Sequence, residues 1–432
     1  MLRSLSFMAG ATLARLLSGA VLMVFIARSL GPQEFGHFVL ALSLAMVLAL
    51  MVEFGHSTYV MRELGRNLEP PVLVLARVLQ AKALLSLLFL GAVLVAWAGG
   101  WAPPGGAGGF LALCLMALVV TLADFLNVCF RGIQKFSLET RNVVASSVVH
   151  VAIVVPVALA WPHWTAVAAA FLVSRSIYLL FSLISFRSAF PGVGRALVGL
   201  GSWAGGIRHI RHSVMYAADA GLVTVRGYAD VFLISTFLGA APLGLYQVGM
   251  NLVRAVENLG PIIANVFLPK LSGLLDRPAD FARHERQLLW LMTGCGLACF
   301  AALFLSPIWL LAAVFGERFA PAFALFPIFG LYLLARFIAM ALGVLLTARG
   351  FQSGRTVAGV VSLGVLVLTA WPLMPAFGVT AVASASVVAA LVLLVWFAVR
   401  LRSGPWGLRD SISLAALVGI VAAMAYLLIT GK

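Results

Sequence analysis

The chain has 432 residues, 63% of them hydrophobic and 10% charged. A water-soluble domain needs a polar skin that these residues cannot make, so the composition excludes a soluble protein and predicts an all-α polytopic membrane protein. The net charge of +15 would suit nucleic acid, but membrane proteins collect such a balance in cytoplasmic loops, so the placement of Lys and Arg decides.

Apolar segments fall near 8–30, 37–56, 78–98, 109–130, 143–161, 165–186, 213–237, 243–268, 288–315, 322–347, 356–374, 379–399 and 411–429. Most are near the ~20 residues that cross a bilayer as a helix. The first is long, carries Arg15 and runs on into more apolar sequence, so it reads as a span rather than a cleavable signal. Cys114, Cys129, Cys295 and Cys299 all lie in apolar runs without metal-ligand spacing and read as small core residues.

The basic residues alternate. Arg62, Arg66, Arg77 and Lys82 follow the second span, Arg131, Lys135 and Arg141 the fourth, and Arg187, Arg195, Arg208 and Arg211 the sixth. Lys270, Arg277, Arg283 and Arg286 follow the eighth, Arg349 and Arg355 the tenth, and Arg400, Arg402 and Arg409 the twelfth. The connections between, such as "GGWAPPGGAGG" (99–109), are nearly free of Lys and Arg. This pattern predicts a cytoplasmic N-terminus and accounts for the high charge without nucleic acid. The stretch 187–211 is broken by Gly and Pro, basic, and carries Trp203, which predicts an amphipathic linker on the cytoplasmic surface.

Two short matches suggest a duplication. "LGPQEFGHF" (30–38) resembles "LGAAPLGLY" (238–246), and "RGIQ" (131–134) resembles "RGFQ" (349–352). The first pair is expected outside and the second inside, so the halves share orientation as parallel repeats. The expected division is a six-helix lobe at 1–186, the linker at 187–211, a second six-helix lobe at 212–403 and an additional helix within 404–432.

Polar residues in the spans fall on stripes. Asp219, Arg226 and Asp230 are spaced by seven and four, within about 40° on one helix face. Either Arg226 pairs with Asp230 at i, i+4, or the face meets water. Gln247, Asn251, Arg254, Asn258 and Asn265 form a second stripe, with Glu257 beside it and Pro261 able to break the helix. Helix–helix hydrogen bonds and a hydrophilic cavity wall both fit this stripe. Arg15, the set Thr121, Asp124 and Asn127, the set Arg175, Tyr178, Ser182 and Ser185, and the pair Tyr332 and Arg336 complete the inventory. A charge at the bilayer centre costs about 2.5–3.5 kcal/mol on insertion scales, which makes such residues functional candidates.

"ARSLGPQEFGHFVLALSL" (27–44) and "YADVFLISTFLGAAPLGLYQVGMNL" (228–252) resemble Wzx-type bacterial polysaccharide and O-antigen flippases of the multidrug/oligosaccharidyl-lipid/polysaccharide exporter superfamily. Asp230, Leu238, Gly239, Gly244 and Tyr246 hold the pattern of that family's seventh span. The resemblance implies two six-helix lobes around a central cavity and an undecaprenyl-diphosphate-linked oligosaccharide moved from the inner to the outer leaflet of a bacterial inner membrane. Related peptidoglycan-precursor flippases use cationic cavity residues on spans one and eight, where Arg15 and Arg254 stand here.

Guanidinium binds phosphate through a planar fork. The expected substrate-binding set is therefore Arg15, Arg175, Gln247, Asn251, Arg254, Asn258 and Arg336. No ATP-binding motif or other cofactor signal is visible, so the drive is expected from a proton or sodium gradient or from membrane potential, with Asp124, Asp219, Asp230 and Glu257 as ion-coupling candidates. The expected partners are polyprenyl-diphosphate oligosaccharide, membrane lipids and other polysaccharide-assembly proteins. A drug or cation antiporter of the same superfamily is the first rival, disfavoured by the central arginines. A membrane glycan polymerase or ligase is the second, disfavoured by the short external connections.

Overall fold

A computed structural model describes residues 2–66, 69–100, 105–199, 203–306 and 308–402. Among these residues the regular structure is all helical. Among the described residues ten helices are long and apolar enough to cross a membrane, which makes this a multi-pass membrane protein. Helices suit the bilayer because each satisfies its own backbone where water is absent. The expected span at 411–429 lies outside the described residues.

Helix α1, Leu2–Glu53, has 52 residues. Straight, it would run about 78 Å, far beyond the ~30 Å of a hydrocarbon core. It bends at Gly31, whose φ of 77° and ψ of 173° leave the helical region just before Pro32. Four contacts show that the bend is a reversal. Arg15 reaches Asp124 of α4 (Ala107–Gly132). Beyond the bend, Glu34 accepts from the Trp164 backbone N–H at the start of α6 (Trp164–Ala189), and the His37 ring lies against Gly105, just before α4. Val52 and Glu53 then meet Lys82 of α3 (Pro71–Ala98), whose ammonium stands over the Phe125 ring. The chain thus travels from the level of Asp124 to the far end and back, so α1 supplies the two expected spans 8–30 and 37–56.

The repeat has a structural counterpart. Gly239 adopts φ 89° and ψ −171°, the same unusual conformation as Gly31, at the equivalent Leu-Gly. Left-handed φ with extended ψ is open to glycine and closed to most side chains. The second match is looser. At both sites an i+5 hydrogen bond closes the helix end, Lys135 N–H to Phe130 C=O and Phe351 N–H to Leu346 C=O. The left-handed residues are Gln134 and Gly350, so the turn sits two residues earlier relative to its "RG" in the second copy.

The chain divides into two compact units between Tyr228 and Ala229, inside helix α8 (Ala204–Phe237). In the first unit the two arms of α1, with α3, α4, α5 (Phe136–Ala160) and α6, make six spans. The amphipathic α2 (His56–Arg66) follows the second arm. The expected linker, 187–211, holds the end of one helix, a short helix and the start of another. α6 continues to Ala189, α7 spans Val193–Gly199 and α8 starts at Ala204. Phe190 and Val193 are buried in a cluster with Phe125, Phe130 and Phe186. Phe190 and Val193 thus anchor the linker's start, while Trp203 is exposed.

In the second unit α9 (Ala240–Glu257) and α10 (Leu259–Ser272) replace one continuous eighth span. Pro261 lacks the N–H that would continue the ladder. The expected ninth span, 288–315, is instead α11 (Pro278–Phe304) followed by a separate short α12 (Ile308–Phe315). A 3₁₀ stretch, Glu317–Leu325, leads into α13 (Phe326–Ala348). α13 is buried on nearly all sides, which is why it is apolar all round rather than amphipathic. α14 (Gln352–Phe377) and α15 (Val379–Arg402) complete the described chain.

Candidate functional site

Two polar clusters interrupt the apolar interior, one in each unit. In the first unit the stripes on α4 and α6 face each other. The Tyr178 hydroxyl donates to Asp124 Oδ1 at 2.9 Å. Asn127 donates to the Tyr178 hydroxyl at 3.1 Å and to Ser182 at 2.7 Å. Asn142 of α5 donates to Asn127 Oδ1 at 3.2 Å. Ser185 donates to Asn142 Oδ1 at 2.9 Å, and Arg141 donates to Ser185 at 3.2 Å.

Asp124 also faces Arg15, Nη2 to Oδ1 at 3.5 Å, with side chains 49% and 40% exposed. That is a long contact through one nitrogen, well short of the two-pronged fork guanidinium can make. Arg175 lies in the same electrostatic neighbourhood, acting on Asp124, Tyr178 and Arg15. No hydrogen bond or ion pair holds its guanidinium among the described residues. Arg15 and Arg175 thus both act on one carboxylate, and these three groups together sum to +1. Nearby, Arg131 grips both oxygens of Glu139 through Nε, each at 2.8 Å.

In the second unit's cluster each arginine has a carboxylate partner. Arg254 Nη2 binds Asp230 Oδ1 at 3.0 Å and Oδ2 at 2.9 Å, and Nη1 reaches Gln247 Oε1 at 3.4 Å. Asn258 donates to the Arg254 carbonyl at 2.8 Å. Arg336 Nε binds Glu257 Oε1 at 2.7 Å. The Asp230 side chain is 9% exposed and that of Arg254 32%. Gln247 Nε2 and Asn251 Nδ2 are buried with no hydrogen-bond partner among the described residues.

Of the expected substrate set, the structure brings Arg15 to Asp124, with Arg175 acting on the same carboxylate, and Arg254 and Gln247 to Asp230, while Asn258 bonds only the Arg254 backbone carbonyl. Arg336 belongs to a separate pair. The side chains of Asp219 and Asn265 lie outside the described residues. Asp230 has a partner beyond its own helix: both its oxygens are bound by Arg254 of α9, 24 residues on. Glu257 pairs with Arg336, 79 residues on.

A family model described as polysaccharide biosynthesis protein matches residues 25–324, well over half of the chain. This chain belongs to the polysaccharide biosynthesis protein family. No curated protein matches it. Among solved structures, the lipid II flippase MurJ in an inward closed conformation is similar with a TM-score of 0.66 at 12% identity, covering 98% of this chain and 96% of that one. An inward-facing multidrug resistance MATE family transporter of the MOP superfamily matches with a TM-score of 0.62 at 14% identity over 94% and 98%. A MOP superfamily transporter from Pyrococcus furiosus, described by the reverse polarity of its binding pocket, gives 0.61 at 14% identity over 93% and 96%. At such identities these structures establish the fold, that of the MOP transporters.

Within this family member, sequence reasoning missed several interior polar residues. Asn142 and His150 of α5 are buried, and His150 Nδ1 stands 2.7 Å from the Ser174 hydroxyl. Ser174 donates to the Phe171 carbonyl, so His150 donates to Ser174. Their spacing of eight on α5 was a legible signal. Lys82, counted among surface basic residues, is fully buried and bound to Glu53 at 3.2 Å. A lysine one turn inside a span's end carries no sequence mark that separates snorkelling from burial.

Proposed function

We propose that this protein is a flippase that carries a polyprenyl-diphosphate-linked oligosaccharide, undecaprenyl-linked in a bacterial inner membrane, from the cytoplasmic to the outer leaflet by alternating access. The observation that carries the reading is the uncompensated arginine charge of the first unit, Arg15 and Arg175 around Asp124 alone. Family membership and the fold shared with a lipid II flippase support it. A diphosphate cannot cross hydrocarbon unaided, and guanidinium is the side chain best suited to it. A carrier of cationic drugs needs the opposite balance, and the second unit offers no spare carboxylate at Asp230 or Glu257, since each is bound by arginine.

On this reading the N-terminus is cytoplasmic, and the polyprenyl tail stays in lipid while the head is handled by the cluster. Outward movement of uncompensated negative charge gains about 2.3 kcal/mol per charge per 100 mV of inside-negative potential, so membrane potential is a sufficient drive. The test is flipping of a fluorescent polyprenyl-diphosphate oligosaccharide in proteoliposomes. Arg15→Gln and Arg175→Gln should each cut the rate at least about tenfold with normal protein recovery. Unchanged rates in both would remove the diphosphate from this cluster.

A further inference from the structure

We propose that Asp124 is a built-in counter-ion: it occupies the arginine site when no diphosphate is there and competes the diphosphate off when it leaves. The inference rests on reading that cluster as a diphosphate site. Its starting point is a contrast between ion pairs. Glu139 and Asp230 are each held through both oxygens by their arginines, at 2.8–3.0 Å. Arg15 touches Asp124 through one nitrogen at 3.5 Å, and both side chains are substantially exposed. A pair that only stabilises the bundle has no reason to leave the guanidinium fork open.

The carboxylate, by contrast, is held firmly from behind. Every hydrogen in the chain from Arg141 through Ser185, Asn142, Asn127 and Tyr178 points toward Asp124. Asn amides in such a chain donate and accept without exchanging the proton they carry. The chain therefore fixes the acid in place rather than conducting protons to it. α4, α5 and α6 all contribute, so Asp124 is anchored to three helices and Arg15 to one arm of α1. When a diphosphate arrives, the arginine is free to turn to it and the acid is not free to follow. Lys82, Arg131 and Arg175 also act on Asp124 electrostatically, and Arg131 is already matched by Glu139.

Such an acid weakens binding by like-charge repulsion, and by the same interaction it speeds release and restores the empty site. The experiment measures binding of farnesyl diphosphate to the full-length chain in nanodiscs at fixed pH and low salt. It uses the wild type, Arg15→Gln, Arg175→Gln, Asp124→Asn and the double variant Asp124→Asn/Arg15→Gln. Asp124→Asn should bind about tenfold tighter and flip the lipid more slowly. The double variant regains the wild-type charge balance and should bind within about threefold of wild type. If both arginine variants weaken binding while Asp124→Asn leaves it unchanged or weaker, the counter-ion role is wrong and the site stands. If neither arginine variant changes affinity, the site reading itself fails. Should Asp124→Asn not fold, the double variant decides, because it leaves no extra charge unpaired: binding weaker than Arg15→Gln alone would overturn the proposal.

Discussion

Breaking the Asp230–Arg254 pair should have unequal effects from its two sides. Removing one partner of a buried ion pair costs about 3–5 kcal/mol because a charge is left alone. Arg254→Gln strands Asp230, whose side chain is 9% exposed; one oxygen keeps the Val231 backbone N–H at 2.9 Å, which lowers the expectation to about 3–4 kcal/mol. Asp230→Asn strands Arg254, which is 32% exposed and keeps its contact to Gln247, so about 1–2 kcal/mol is expected. At about 2–4 °C per kcal/mol for a unit of this size, the melting temperatures should fall by about 10 °C and about 4 °C. Asp230→Asn/Arg254→Gln should recover much of the larger loss. Arg226→Gln should not reproduce it, because Asp230 keeps Arg254. The assay is thermal unfolding of detergent-purified protein followed by size-exclusion of a fluorescent fusion. Equal losses from both sides, or a double variant equal to the sum of the singles, would refute the reasoning.

Acid should loosen the corner where α2 meets α8. His56 is fully buried with both ring nitrogens lacking a hydrogen-bond partner among the described residues, stacked 5.1 Å from His209. Burial, helped by Lys82 and His209, pushes His56 down to about 3, and burial with Arg77 and His212 pushes His209 down to about 4. The folded chain binds fewer protons than the unfolded one between these values and the ordinary ~6.5. Stability is therefore complete above pH 6.5 and lost as pH falls below it, by about 2 kcal/mol per histidine at pH 5. His56→Phe should flatten the change in melting temperature between pH 7 and pH 5, and an identical change in wild type and variant would rule the pair out. Topology is checked with single cysteines in a cysteine-free background: substitutions at Gly105 and Ala240 should label from outside, and those at Lys135 and Arg283 should not. Labelling at Lys135 but not at Gly105 would invert the assignment.

Span positions and polar stripes were legible in the sequence because both are local. Hydrocarbon thickness fixes how many apolar residues a span needs, and 3.6 residues per turn fixes which polar ones share a face. The Leu-Gly repeat could be read as well, since the backbone conformation at Gly31 and Gly239 admits few other residues. Partner choice could not. Arg226 and Arg254 lie four and 24 residues from Asp230, and Arg254 and Arg336 lie three and 79 residues from Glu257. Spacing along one helix points only to the near arginine, while the packing of helices supplies the far one. The same holds for Asn142 of α5, whose role as the joint between the α4 and α6 stripes no spacing along α5 marks. A stripe's direction depends on how its helix is rotated against its neighbours, and rotation is set by side-chain packing over the whole unit. That is why tertiary structure alone showed Asp230 and Glu257 each to be matched by an arginine, and Asp124 to be acted on by both Arg15 and Arg175.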